Sequence, residues 1–160
     1  MTTVLVAFAS RHGATDELAH AIGRDLSRAG LTVDVRPMDE VEAVDGYSAL
    51  VLGSAVYLGA WMPAARAFLE RNRELIATRP TWLFSSGPVA GVPAKPFDAS
   101  ELMTATHARD HHLFGGRLER RSLTLIERLV ARVGRPQEGD YREWPIATAW
   151  ATAISRSLAA

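Results

Sequence analysis

A chain of 160 residues is long enough to bury a core as one compact unit without covalent staples. Its 48% apolar and 22% charged residues are ordinary for a globular domain, and a formal net charge of zero gives no long-range pull toward nucleic acid, so no such partner is expected. Cysteine is absent, which excludes disulfides, thiolate nucleophiles and Cys-ligated metal or iron–sulfur centres, leaving redox chemistry to a bound cofactor.

No basic segment with an apolar stretch behind it precedes the first strand, and no apolar run is long enough to span a bilayer. A cytoplasmic location is therefore expected. The first strand is the continuous apolar run Val4 to Ala9, the pattern of a strand covered on both faces. Leu18, Ile22 and Leu26, with Ala19 and Ala29 beside them, predict an amphipathic helix that Gly30 closes. Leu31 to Val35 alternates and reads as a second strand nearer an edge. Asp39 is placed to cap a short helix ending before Asp45-Gly46.

The pattern then repeats. Ala49 to Gly53 is a third strand, and Pro63 opens a helix expected to bury Ala65, Phe68, Leu69, Leu75 and Ile76. Thr81 to Ser85 is the fourth strand, followed by a Gly/Pro-rich loop over 87–96. A helix from about Ala99 leads to a fifth strand near His112 to Gly115. The last helix carries Ile146, Trp150 and Ile154 at four-residue spacing. Alternating strands and helices predict an α/β three-layer sandwich over residues 1–160, a five-stranded parallel sheet with helices on both faces.

In such sheets ligands bind at the carboxyl ends of the strands. The first such end is Ser10-Arg11-His12-Gly13-Ala14-Thr15. Ser10 and Thr15 supply hydroxyls, Gly13 permits close backbone approach, and a helix starting near Ala14 aims N–H groups at an anion. Neutral donors suit a phosphate monoester that is held and never transferred. His12 either donates to that phosphate, covers a ring attached to it, or stays in solvent. Neither a G-x-x-x-x-G-K-[ST] nor a G-x-G-x-x-G pattern is present. A plain strand-to-helix turn with local Ser and Thr caps is the other reading of this segment.

Two later loops follow the third and fourth strands. The first runs through Ser54, Ala55, Val56, Tyr57, Leu58, Gly59 and Ala60 to Trp61, and the second through Ser85, Ser86, Gly87, Pro88, Val89 and Ala90 to Gly91. With the S-x-x-G-x-T turn, these segments resemble the flavodoxin family, in which the corresponding loops enclose the isoalloxazine ring of FMN. The resemblance implies a flavodoxin-like sandwich with FMN as cofactor. Trp61 is the first choice for stacking on the ring and Tyr57 the second, with core packing as the alternative for Trp61. Ser86 and the backbone of the second loop would line the polar rim.

Within the family, the turn, the segment Gly53 to Trp61, the stretch after the fifth strand and Tyr141 to Trp144 look like the menaquinone-dependent protoporphyrinogen oxidase group. That likeness implies electron transfer from a tetrapyrrole precursor through the flavin to a quinone. Tyr57 and Leu58 stand where that group carries a basic residue and an aromatic. A non-catalytic or regulatory domain on the same fold is the alternative function. Residues 117–135 carry six Arg against Glu119 and Glu127, with apolar residues at heptad-like spacing. They read either as a basic amphipathic helix that lies on an anionic membrane or receives a substrate with carboxylates, or as a helix covering the sheet with its arginines solvated. His107 and His111, four apart, would share one helix face, yet no Cys or carboxylate–His pattern accompanies them and no metal site is expected.

Overall fold

The computed structural model describes residues 2–10, 13–57, 59–87, 97–115, 117–118, 139–140 and 144–159. In chain order the elements are β1 (Thr3–Ala9), α1 (Ala14–Arg28), β2 (Thr32–Pro37), a 3₁₀ turn (Met38–Glu40), β3 (Ala49–Tyr57) and β4 (Ala60–Trp61). There follow α2 (Pro63–Arg71), α3 (Arg73–Ala77), β5 (Thr81–Ser86), α4 (Ser100–Thr106) and β6 (Asp110–Phe114). Two short strands, β7 (Arg117–Leu118) and β8 (Gly139–Asp140), precede α5 (Trp144–Ala159).

Five strands are parallel in the order β2-β1-β3-β5-β6, and β4 folds back antiparallel onto the end of β3. The apolar runs of β1, β3 and β5 occupy the three central positions, where both faces are covered. Side-chain alternation then sorts each run into two cores. Val4, Val6, Phe8, Trp82 and Phe84 pack with Leu18, Ile22 and Leu26 of α1 and with Trp150 and Ile154 of α5. On the other face Leu5, Ala7, Leu50, Leu52 and Leu83 lie under Trp61, Phe68 and Ile76. At the sheet edge β2 exposes Thr32 and Arg36 while Val33 and Val35 lean on the core, as its alternating sequence predicts.

Gly30 ends α1 at φ +98, a left-handed conformation that a Cβ disfavours. The Gly30 amide donates to the Ser27 carbonyl and the Leu31 amide to the Leu26 carbonyl, satisfying two carbonyls of the last turn.

Several expectations are corrected at element ends. The helix opened by Pro63 is two helices that meet at Asn72, whose backbone leaves the helical range at φ −113, ψ 16 while its buried side-chain amide joins its backbone N–H on the Phe68 carbonyl. This turns Leu75 outward, to 37% exposure. In α5 the buried stripe is Ala147, Trp150, Ala151 and Ile154, leaving Ile146 at 42% exposure. Asp39 lies inside its 3₁₀ turn, which Pro37 precedes without a side-chain cap. The basic stretch opens on a strand and not a helix, since Arg117 and Leu118 pair with Asp140 and Gly139. The rest of that stretch, and Tyr141 to Glu143, lie outside the described residues.

Candidate cofactor site at the carboxyl edge of the sheet

The sheet order reverses between β1 and β3: from β1 the chain passes to β2 on one side, then returns to place β3 on the other. That reversal opens a crevice at the carboxyl ends of the strands. In register, Ala9 stands beside Ser54, Ser54 beside Ser85 and Ala55 beside Ser86. The three loops singled out in the sequence therefore leave the sheet side by side, across two strand spacings or about 10 Å.

At the first loop, Ser10 Oγ accepts the Gly13 amide at 3.0 Å and closes a tight turn. Gly13 has φ +86, and a Cβ built there would meet nothing within 4 Å. The residue is glycine for its backbone conformation, and its open side faces a cleft of about 430 Å³. Ala14 begins α1, its N-cap Gly13 brings no side-chain cap, and Thr15 is buried within its first turn. The donor set fits a phosphate, with a helix N-terminus and a bare glycine at the cleft wall. Arg11 and His12 lie outside the described residues.

The cleft also touches residues that sequence reasoning did not single out: Asp16 on α1, Met38 and Asp39 beyond β2, and Met62 and Ala64 at the start of α2. Asp16 would repel an anion, but its carboxylate is turned along the helix to His20 Nδ1 at 2.7 Å. A carboxylate in the first turn of a helix was visible in the sequence. The contributions of Met38 and Met62 depend on tertiary packing and left no local signal.

The second loop departs from expectation in one respect. Trp61, the first choice for stacking, is 2% exposed and lies in the core beneath the sheet. Its indole N–H donates to Ser85 Oγ at 2.8 Å. The cause is pairing: Trp61 stands opposite Val56 across the β3–β4 hairpin, so the two share the face that points into the protein. Tyr57, one residue further on, is 49% exposed and is the aromatic presented at this edge. Ala55 and Val56 are the half-buried last residues of β3 before it, and Gly59 turns the hairpin at φ +77. Leu58 lies outside the described residues. Ser54, also fully buried, accepts the Met62 amide at 3.1 Å and fixes where the chain re-enters α2.

At the third loop, Ser85 and Ser86 are both buried at the end of β5. Besides the Trp61 indole, Ser85 Oγ contacts His111 Nε2 at 2.7 Å. The Gly87 amide donates to the Phe114 carbonyl at 2.7 Å, prolonging the β5–β6 pairing beyond the strand. Pro88 and Val89 lie outside the described residues. His107 caps α4 in a left-handed conformation while His111 lies on β6, so their four-residue spacing does not put them on one helix face. Among the described residues no group of His, Asp and Glu is arranged to hold a metal ion.

An open parallel sheet in this order, with a glycine turn leading from its first strand into a helix and two further loops beside it, defines a protein of the flavodoxin class. A family model described as Flavodoxin domain matches residues 5–143, and the chain belongs to that family. Among solved structures it is similar to oxidised flavodoxin 2 from Bacillus cereus, with TM-score 0.68 and 18% identity over 98% of this chain and 99% of that one. It is also similar to a flavodoxin from the domain Archaea, with TM-score 0.67 and 15% identity over 99% and 100% of the two chains. At these identities the likeness establishes the fold. Among curated proteins it is similar to the protoporphyrinogen IX dehydrogenase (quinone) of Escherichia coli K12, 26% identical over 93 residues. That match covers 57% of this chain and 51% of the relative, so the chain spans about half the length of the curated relatives it matches.

Proposed function

We propose that this chain binds FMN at the carboxyl edge of its sheet and passes electrons through it. The supporting observation is the adjacency of three loops: a phosphate turn on β1, an exposed tyrosine on β3 and a Gly-containing loop on β5, within about 10 Å. The first-turn amides of α1 and the turn held by Ser10 and Gly13 hold the phosphate. Tyr57 covers the ring, and the backbone at Gly59 and at Ser86–Gly87 meets its polar edge. The flavin supplies the redox chemistry, and the chain's own residues bind and orient it.

The finer reading is that the electrons leave a tetrapyrrole precursor and reach a quinone, as the name of the Escherichia coli relative describes for that protein. Contact with an anionic membrane through residues 117–135 belongs to the same reading, since quinones reside there. Among the described residues no helix is long and apolar enough to cross a membrane.

Purified protein should show a flavin absorption spectrum and release FMN on denaturation; a colourless protein that ignores added FMN sinks the proposal. Gly13→Val should abolish retention, because a β-branched residue is strained at φ +86 and fills the turn's open side. Unchanged FMN affinity in a variant with native near-UV circular dichroism would remove the phosphate from this turn. Quinone-dependent oxidation of protoporphyrinogen tests the finer reading directly.

A further inference from the structure

Trp61, Ser85 and His111 come from β4, β5 and β6, three elements brought together only by the fold. The Trp61 indole reaches Ser85 Oγ at 2.8 Å, and Ser85 Oγ lies 2.7 Å from His111 Nε2. Indole N–H is a donor with no acceptor capacity, so Ser85 accepts from it. Among the described partners of Ser85 Oγ, His111 Nε2 is the one that can take the buried serine proton, and this assigns Nε2 the lone pair and Nδ1 the imidazole proton. We infer that this chain of hydrogen bonds is a latch: Ser85 and neutral His111 are positioning residues that hold Trp61, and through it the hairpin presenting Tyr57, at the cofactor site. The inference rests on the FMN reading for its functional consequence but not for the latch itself.

Protonated His111 turns Nε2 into a second donor aimed at Ser85 Oγ, and the serine proton must then find another acceptor in a fully buried position. The latch is therefore made with neutral imidazole and broken in acid. Burial is the main influence holding the His111 pKa below its ordinary value; the neighbouring His112 adds to this, and Asp110 opposes it. Among the described residues, the groups it contacts on other elements are uncharged: Ser85 on β5 and the Phe97 ring 5.6 Å away before α4. On α4 the residues that join this core are Leu102 and Met103, while the carboxylate-bearing Glu101 is exposed.

The test follows the Trp61 indole N–H resonance by ¹⁵N NMR from pH 8 to pH 5, assigned with Trp61→Phe, alongside FMN titrations at the same pH values. In wild type the resonance should shift as His111 protonates, and FMN affinity should fall by up to about tenfold per pH unit below that titration. His111→Gln keeps an acceptor near Ser85 that does not titrate; both pH effects should flatten to the dependence of the FMN phosphate alone. Ser85→Ala should displace the indole resonance at every pH. An indole resonance indifferent to pH in wild type, or the same FMN pH profile in wild type and His111→Gln, overturns the latch. Failure of every protein to bind FMN while the indole resonance titrates as described overturns the flavin reading and upholds the latch.

Discussion

At the scale of single residues, two glycines at the carboxyl edge are required for opposite reasons. Gly13 needs its backbone conformation and has space around it, whereas Gly53 has no space: a Cβ there would fall 2.1 to 2.4 Å from the Phe84 ring. Gly53→Ala should therefore destabilise the fold by roughly 1–3 kcal/mol through overpacking, read from the urea midpoint at unchanged m-value. The sequence shows both as glycines after or within apolar strands and cannot separate the two causes, because one is local and the other is set by a ring on β5. The same limit explains Trp61. Which of two aromatics in a loop turns inward depends on cross-strand register, and a slip of one position exchanges their faces. His111 adds a pH dependence with a definite sign. Burial holds its folded pKa below that of a free imidazole, so its contribution to stability is whole above the free value. The contribution is lost as pH falls from there through the folded pKa, with a limiting slope of about 1.4 kcal/mol per pH unit. Urea unfolding at a series of pH values should show this loss in wild type and its absence in His111→Gln.

At the scale of elements, the centres were legible and the ends were not. β1, β3 and β5 announce themselves because a strand covered on both faces needs an unbroken apolar run. α1 was legible along its whole length, from the phosphate turn to Gly30. The break at Asn72 escaped because the apolar spacing continues across it; what marks it is the backbone of one buried asparagine leaving the helical range. The far edge of the sheet holds a second feature without a sequence signal. Arg79 donates from Nε to the Tyr47 carbonyl at 2.7 Å and from Nη2 to the Asp45 carbonyl at 3.0 Å, tying the approach to β5 to the approach to β3. It also donates to the Leu75 carbonyl at the end of α3, at 3.3 Å. Tyr47 in turn donates its hydroxyl to Asp34 on β2 at 2.8 Å. Arg79→Met keeps the stem and loses these bonds, and should cost about 1–3 kcal/mol by chemical denaturation with FMN binding unaffected. Loss of FMN affinity in that variant would mean that the two ends of the sheet are coupled.

At the scale of the whole molecule, the sheet divides the protein by task. One rim carries the crevice and its three loops, the opposite rim carries ties such as Arg79, and two apolar layers between them keep the strands in register. The β7–β8 ribbon has a different consequence. Because Arg117 lies against Asp140 and Leu118 against Gly139, the chain that leaves the ribbon returns to where it left. A tight Asn-Gly turn in place of residues 119–138 would keep the two ribbon strands in their register. Shortening a closed loop also lowers the entropy of closing it, so the excised protein should be as stable as the parent or slightly more so. It should still bind FMN with parental affinity. What it should lose is any attraction to anionic vesicles, since five of the basic stretch's six arginines leave with residues 119–138. Membrane address and electron-carrying core would then be separable parts, one exchangeable and the other fixed.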